Sequence, residues 1–447
     1  MSEWQDTTLG EIFKVKHGFA FKGEYFTDEP QSTVLVTPGN FAIGGGFQDG
    51  KRKYYCGPVP EDYVLKPGQV VVTMTDLSKE SDTLGYAASI PDDSTTWLHN
   101  QRVGLLEFKP AIPAAPRFIQ YLLRTHEYRS WVLGSATGTT VKHTSPGRIE
   151  SFETRIPSIE EQHAIAHILG TLDDKIELNR RMNETLEAMA RAIFQSWFVD
   201  FDPVRAKASG ESAESICQRL GLTPELLALF PDSLEDSELG EIPRTWGVNA
   251  LGDLCSYLSR GISPKYVEEG GVCVLNQKCI RDGKVSTASA RRHDPALRSI
   301  AGRELAVGDI LVNSTGTGTL GRVAQVMALD EPTIVDSHVT VVRANSLACA
   351  PSYLSLTLME RQAEIEALGE GSTGQTELSR ARLAALQVLT PPLNLMQVFD
   401  ERVKPFREAS SRNDGQNITL SQSRDTLLPK LLAGEIFVGK NDWLTEH

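Results

Sequence analysis

The feature of this sequence that most constrains its fold is an internal repeat. Five residues near the N-terminus return 242 positions later: Trp4, Leu9, Gly10, Glu11 and Ile12 are matched by Trp246, Leu251, Gly252, Asp253 and Leu254. Residues 67–72 then resemble 307–312, and 84–88 resemble 320–324, at offsets of 240 and 236. Because the order is kept while the offset drifts by a few residues, we predict two copies of one domain that differ by loop insertions.

Each copy combines strand and helix patterns. Short β-branched runs bounded by Gly, Pro and Asn predict strands at residues 70–74, 103–108, 309–313 and 339–343. Residues 116–132 and 351–368 have helical patterns that begin at proline. We therefore predict an α/β chain of the α+β type, with two similar mixed domains, each followed by a long helix.

Heptad patterns predict the two long helices. Ser158 and Glu161 form a capping box at the start of the first. Its apolar residues then recur at three- and four-residue steps, interrupted by Lys175 and Asn179: Ile165, Ile168, Leu172, Met182, Leu186, Met189 and Ile193. The second seam has a residue every seven positions: Phe399, Phe406, Asn413, Leu420 and Leu427. Two such narrow stripes predict an antiparallel coiled coil whose register can be fixed by buried asparagine. Pro405 and Pro429 predict that the second helix is kinked or split.

The net charge of −13 is unevenly distributed. Residues 156–242 carry −10, whereas residues 1–155 and 243–390 carry −2 and 0. The acidity therefore does not exclude nucleic-acid binding by the two copies, although such surfaces are usually basic. Six cysteines without a Cys-x-x-Cys pair favour neither a zinc site nor disulfides, and suit the cytoplasm. We expect neither a membrane span nor a signal peptide.

Several segments resemble known ligand-binding or catalytic motifs but lack a required residue or element. Residues 316–321 satisfy G-x-G-x-x-G, but the next residues are predicted to form a strand, where a dinucleotide site needs a helix. Residues 45–52 approach a phosphate-binding loop, yet Arg52 replaces the hydroxyl residue that would bind Mg²⁺. His163 and His167 lack the glutamate of the zinc-protease pattern. We therefore predict no metal site and no catalytic residues in this chain.

Basic residues mark candidate DNA contacts in both copies. Residues 278–303 contain seven basic and two acidic residues. Lysine and arginine can neutralise phosphates, and arginine also reads guanine. The candidates are Lys51, Arg52, Lys53, Tyr54, Arg102, Lys278, Arg281, Lys284, Arg291, Arg292, Arg298, Thr317 and Arg322. The alternative for each charged run is a solvated surface.

The organisation resembles the specificity subunits of type I restriction-modification systems. Residues 229–233 (LFPDS) and 238–243 (ELGEIP) are similar to the sequence that precedes the second target-recognition domain in that family. Residues 195–201 (QSWFVDF) and 427–436 (LLPKLLAGEI) are similar to its conserved helical regions. The resemblance extends over nearly the full length of the chain.

The resemblance implies a non-catalytic subunit whose two recognition domains each read half of a bipartite DNA target. It implies that the helices set the half-site spacing and dock two methyltransferase subunits, and that endonuclease/translocase subunits join them. S-adenosylmethionine, ATP and Mg²⁺ are then expected only on the partners. The implied segments are a first recognition domain (1–155), a first spacer helix (156–200), an acidic linker (201–242), a second recognition domain (243–390), and a second spacer helix with the tail (391–447). The alternative hypothesis is a protein–protein scaffold without DNA specificity.

Overall fold

The computed structural model describes residues 4–50, 52–76, 82–138, 141–371 and 376–438. The chain divides into two compact units. The terminal unit contains residues 1–178 and 416–447, and the central unit contains residues 179–415. In the part of the chain that is described, no helix is long and apolar enough to cross a membrane.

The terminal unit contains the first copy of the repeat. Its strands are β1 (Gln5–Thr8), β2 (Phe13–His17), β3 (Phe26–Thr27), β4 (Thr33–Val36), β5 (Tyr54–Tyr55), β6 (Val70–Thr73), β7 (Thr75–Asp76), β8 (Ala87–Ser89), β9 (Thr96–His99), β10 (Val103–Phe108), β11 (Lys142–His143) and β12 (Glu153–Ile156). Its helices are α1 (Leu9–Ile12), α2 (Pro116–Leu122), α3 (His126–Gly134), α4 (Pro146–Glu150), the first part of α5 (Ile159–Phe198) and the last part of α12 (Leu393–Leu432).

The central unit contains the second copy. Its helices are the last part of α5, α6 (Asp202–Ala208), α7 (Ala213–Leu220), α8 (Pro224–Leu227), α9 (Pro351–Glu360), α10 (Gln362–Ala367), α11 (Arg380–Ala384) and the first part of α12 (Leu393–Leu432). Its strands are β13 (Leu234–Ser237), β14 (Gly240–Pro243), β15 (Gly247–Ala250), β16 (Cys255–Arg260), β17 (Tyr266–Val267), β18 (Val272–Leu275), β19 (Ile280–Arg281), β20 (Lys284–Val285), β21 (Arg291–His293), β22 (Ile310–Asn313), β23 (Val323–Gln325), β24 (Thr333–Val335), β25 (Val339–Ala344) and β26 (Gln387–Thr390).

The two copies have the same sheet plan, which confirms the duplicated α+β architecture. Sheet A of the first copy has the order β2-β10-β6-β8, and its counterpart A′ has β16-β25-β22-β23. Sheet B has the order β3-β5-β4-β9, and its counterpart B′ has β17-β21-β18-β24. In both B sheets the last two strands pair in parallel, with Val34 opposite Trp97 and Val274 opposite Ile334.

Each copy begins and ends on one antiparallel strand pair. β1 pairs with β12, so that Gln5 lies opposite Ile156. β15 pairs with β26, so that Gly247 lies opposite Thr390. The entry and exit of each copy are therefore adjacent, immediately before the long helix that follows it.

The long helices complete the core of each unit. In the terminal unit, Ile12 of α1, Phe118 of α2, Ile165 of α5 and Leu431 of α12 are buried in one cluster. In the central unit, Phe198 of α5 lies 4.8 Å from the Tyr353 ring and 5.2 Å from the Phe399 ring. Burial of apolar area on this scale is the main source of stability for both units.

Residues 201–242, predicted as an acidic linker, are folded. Helices α6 to α8 and the β13–β14 hairpin follow α5 directly. Ile216, Leu227 and Phe230 of this segment are buried in the core of the central unit. Its acidic side chains therefore lie on a packed element.

The helix predictions need three corrections. Residues 116–132 form two helices, α2 and α3, separated where the Thr125 hydroxyl donates to the Leu122 carbonyl. Residues 351–368 likewise form α9 and α10. The second long helix is not split, since α12 runs without interruption through Pro405 and Pro429. Both prolines are exposed, as are residues 401 and 425 four positions earlier, so water can satisfy the carbonyls that proline leaves unbonded.

Candidate nucleic-acid interface

The first basic segment lies on β5 of sheet B and the turn before it. Arg52 donates to both carboxylate oxygens of Asp49, at 2.6 and 3.0 Å, and this bonding raises the pKa of Arg52. Its charge is therefore neutralised within the turn. Lys53 is exposed, and its Nζ lies 3.8 Å from the Phe26 ring centroid. Tyr54 is half-buried, and Lys51 lies outside the described residues.

The second basic segment includes β21 of sheet B′, the strand equivalent to β5. Arg292 donates to Glu331 at 2.7 Å and to the Gly270 and Gly271 carbonyls, which fixes it in the fold. The bond from Arg292 lowers the pKa of Glu331. Arg291 is exposed and lies 3.4 Å from the Tyr266 ring centroid. The two segments, chosen separately from the sequence, thus lie on corresponding strands.

The remaining basic candidates of the second segment differ in their partners. Lys284 lies 3.4 Å from Glu187, and Arg281 lies 3.3 Å from Asp282. Arg298 donates to the Ser263 carbonyl at 3.0 Å. Lys278 is exposed in the short helical turn of residues 277–279.

The glycine-rich loop connects β22 and β23 and contains no helix. Thr317 is exposed at its tip, whereas Arg322 donates to the Gly318 carbonyl at 2.9 Å and closes the loop. Asn313 donates to the Gln277 carbonyl at 3.0 Å, so the loop lies against the turn that carries Lys278. The structure therefore brings the loop that carries Thr317 next to the turn that carries Lys278. The loop joins two strands, as the sequence predicts.

Arg102 has a counterpart that the sequence analysis missed. The Arg102 carbonyl accepts from Met74 N–H at 3.1 Å, and the His338 carbonyl accepts from Ser314 N–H at 2.8 Å. Both side chains are exposed, and each residue immediately precedes a central strand of its sheet. The offset of 236 between Arg102 and His338 equals one of the repeat offsets, which is the signal that could have identified His338.

The predicted spacer residues lie on the buried or half-buried sides of α5 and α12. Asn179 and Ile165 are buried, and Leu172, Leu186 and Ile193 are half-buried. On α12, Phe399 is buried, whereas Phe406, Leu420 and Leu427 are half-buried.

Within each unit the two helices run antiparallel. In the central unit Asn183 donates to Asp414 at 2.8 Å, and Phe198, 15 residues later in α5, lies 5.2 Å from Phe399, 15 residues earlier in α12. In the terminal unit Asp173 accepts from Arg424 at 2.8 Å, and Ile165, earlier in α5, shares a core cluster with Leu431, later in α12.

Among the described residues, no group of three or more His, Cys, Asp or Glu side chains is arranged to hold a metal ion. His163 and His167 are both exposed on α5. His99, at the end of β9, is buried, which lowers its pKa to about 4, and its Nε2 donates to the Val103 carbonyl at 2.9 Å. It is therefore a neutral structural residue beneath the Arg102 loop.

Comparison with known proteins identifies relatives of both the sequence and the fold. Residues 1–188 match the family model of the type I restriction modification DNA specificity domain. The type I restriction enzyme HindI specificity subunit of Haemophilus influenzae is 28% identical over 366 residues, covering 72% of this chain and 77% of that protein. The MjaIX specificity subunit of Methanocaldococcus jannaschii is 25% identical over 358 residues, covering 79% and 76%.

A solved structure shares the fold over almost the whole chain. The S subunit of a type I restriction-modification system from M. genitalium aligns over 96% of both chains, with a TM-score of 0.56 and 16% identity. The first copy is thus similar to the type I restriction modification DNA specificity domain, and the chain as a whole shares its fold with a solved S subunit. More narrowly, the family model, the relatives and the fold all indicate a specificity subunit of a type I restriction-modification system.

Proposed function

We propose that this chain selects the DNA sequence on which a type I restriction-modification complex acts, each copy reading one half of a bipartite target. The observation that carries the proposal is the repeated sheet plan, in which Lys53, immediately before β5, and Arg291, the first residue of β21, present basic side chains at corresponding positions. Two similar readers in one chain suit a target with two separate halves, as paired readers do in other DNA-binding proteins.

The proposal assigns α5 and α12 to spacing and docking. Each has 40 residues, which corresponds to ~60 Å at 1.5 Å per residue. A continuous helix pair can hold two readers at a fixed separation. We propose that two methyltransferase subunits dock on these helices and that endonuclease/translocase subunits complete the assembly.

The chain itself is proposed to be non-catalytic. Methyl transfer, cleavage and translocation are assigned to the partner subunits, which would bind S-adenosylmethionine, ATP and Mg²⁺. The relatives support this assignment, because they are named as specificity subunits of restriction enzymes. They also favour DNA recognition over the scaffold hypothesis.

Binding of the assembled complex to DNA tests the proposal. Methylation-sensitive sequencing of a host that expresses the complete system identifies the target, and a duplex carrying it is titrated with the chain and its methyltransferase partner. We expect specific binding that weakens steeply with salt, since each neutralised phosphate releases counterions. A duplex of scrambled sequence is the control. Equal retention of both duplexes, or of neither, would contradict DNA recognition and support the scaffold hypothesis.

A further inference from the structure

In both copies, one basic side chain is stacked on an aromatic ring at the same place in the B sheet. In the first copy, Lys53 Nζ lies 3.8 Å from the centroid of Phe26. In the second, the guanidinium carbon of Arg291 lies 3.4 Å from the centroid of Tyr266. The residue types differ between the copies, but the pairing of a cation with a ring is kept.

The strand registers support this correspondence. Phe26 opens β3 and Tyr266 opens β17, which are the edge strands in the two B sheets. They are 240 positions apart, as are Val34 and Val274, which occupy the equivalent inner strands. Phe26 lies opposite Tyr55, two residues after Lys53, and Tyr266 lies opposite His293, two residues after Arg291. The two cations therefore have the same register position relative to the rings.

The stacked cations differ from their neighbours in what they bond. Arg52 is paired with Asp49 and Arg292 with Glu331, so both charges are neutralised inside the protein. Lys53 and Arg291 are both exposed and form no ion pair within 4.0 Å among the described residues, although Arg291 interacts at longer range with the charge of Asp336. Each B sheet therefore holds one arginine fixed within the fold beside one cation that is still able to bind an external anion.

We propose that Lys53 and Arg291 are equivalent DNA-contacting residues, one for each half of the target. This inference rests on the proposed function and names the residues through which it acts. The ring restricts each side chain before binding, which reduces the entropy lost on contact. Lysine binds phosphate as a point charge, whereas arginine binds either phosphate or the two acceptors of guanine. The two copies can thus use one position for different contacts.

Hydroxyl-radical footprinting and affinity titration of the complete methyltransferase complex test this inference, with a duplex carrying the target as the probe. Lys53→Ala and Arg291→Ala should each weaken binding about tenfold. Lys53→Ala should lose backbone protection in one half of the target, and Arg291→Ala in the other half. Lys22→Ala is the matched control, since Lys22 is also exposed but lies 3.7 Å from Glu24.

Two further variants test the role of the rings. Phe26→Leu and Tyr266→Leu keep the cation but remove its support, and should give a smaller loss of affinity in the same half. If the ring variants bind DNA as tightly as the wild type, the rings do not contribute to DNA binding by restricting the cations. If Lys53→Ala and Arg291→Ala behave like Lys22→Ala, or change the same half, the inference is wrong. If the wild-type complex does not bind the duplex, the proposed function itself fails.

Discussion

At the scale of single residues, Asp173 of α5 joins three elements in the terminal unit. It accepts hydrogen bonds from Tyr121 at 2.8 Å, from Arg124 at 2.9 Å and from Arg424 at 2.8 Å. Burial opposes ionisation of Asp173, but the charge of Arg124 and the bonds from Arg424 and Tyr121 hold its pKa below the ordinary value. This carboxylate therefore fixes the first copy, α5 and α12 to one another.

Replacing Asp173 should destabilise the terminal unit. Asp173→Asn leaves the buried Arg124 and the largely buried Arg424 without their shared negative charge. We expect this to lower the free energy of unfolding by about 2–4 kcal/mol. The measurement is the urea midpoint of the full chain. Asp174→Asn is the matched control, because Asp174 is 65% exposed in its ion pair with Arg117 and should cost less than about 1 kcal/mol. Equal effects of the two substitutions would contradict this account.

The sequence located basic residues but could not distinguish their roles. Arg52 and Lys53 are adjacent, yet Arg52 is bonded within the turn and Lys53 is exposed over a ring. The difference depends on Asp49, Phe26 and the strand pairing that brings them near. Such partners are set by tertiary geometry, so one charged run contains both structural and available side chains.

At the scale of elements, a polar cluster lies in the helix pair of the central unit. Asn183 is 2% exposed, donates to Asp414 and accepts from Asn413, each at 2.8 Å. A buried amide in an apolar seam can form its hydrogen bonds only when its partner lies opposite. This cluster therefore favours a single register of α5 against α12.

A double-mutant cycle measures this coupling. Asn183→Leu alone leaves the Asn413 amide without its acceptor and should lower the free energy of unfolding by about 1–3 kcal/mol. Combining it with Asn413→Leu should recover most of that loss, because both seam positions then become apolar. Urea midpoints of the full chain give the comparison. Met182→Leu, at a 43% exposed neighbouring position, is the control and should have no effect. Simple additivity of the two costs would show that the asparagines do not act together.

The heptad phase shows what the sequence pattern could and could not predict. Ile165, Leu172, Asn179, Leu186 and Ile193 were placed on the seam and do lie on its buried or half-buried side. The intermediate seam positions, which were predicted at Ile168, Met182 and Met189, were placed one residue too early in the sequence. The structure buries Leu169, Asn183 and Ala190 there, while Met182 and Met189 are more than 40% exposed. The actual seam passes through polar and small residues, so a search for apolar side chains selected the adjacent methionines.

At the scale of the whole molecule, the spacer hypothesis predicts a change in DNA target length. Deleting residues 175–181 and 415–421 removes one heptad from each long helix and keeps Asp173, Arg424, Asn183 and Asp414. Each helix then shortens by ~10 Å, which is about three base pairs at 3.4 Å each. We expect methylation at half-sites about three base pairs closer together.

The control for this double deletion is removal of either heptad alone, which offsets one helix against the other and should abolish methylation. Methylation-sensitive sequencing of hosts that express each variant provides the measurement. Unchanged spacing in the double deletion would contradict the spacer role of the helices.

The core of the terminal unit has a consequence for synthesis of the chain. It joins Leu9 and Phe118 to Leu431 and Leu432, which the ribosome adds more than 300 residues later. The first copy therefore leaves the ribosome long before its core can be closed, and Ile165 and Leu169 of α5 stay without these partners until residues 431 and 432 have been synthesised. The central unit, whose parts are contiguous in the chain, can fold during that interval. In this protein the domain that is synthesised first is the last to be completed.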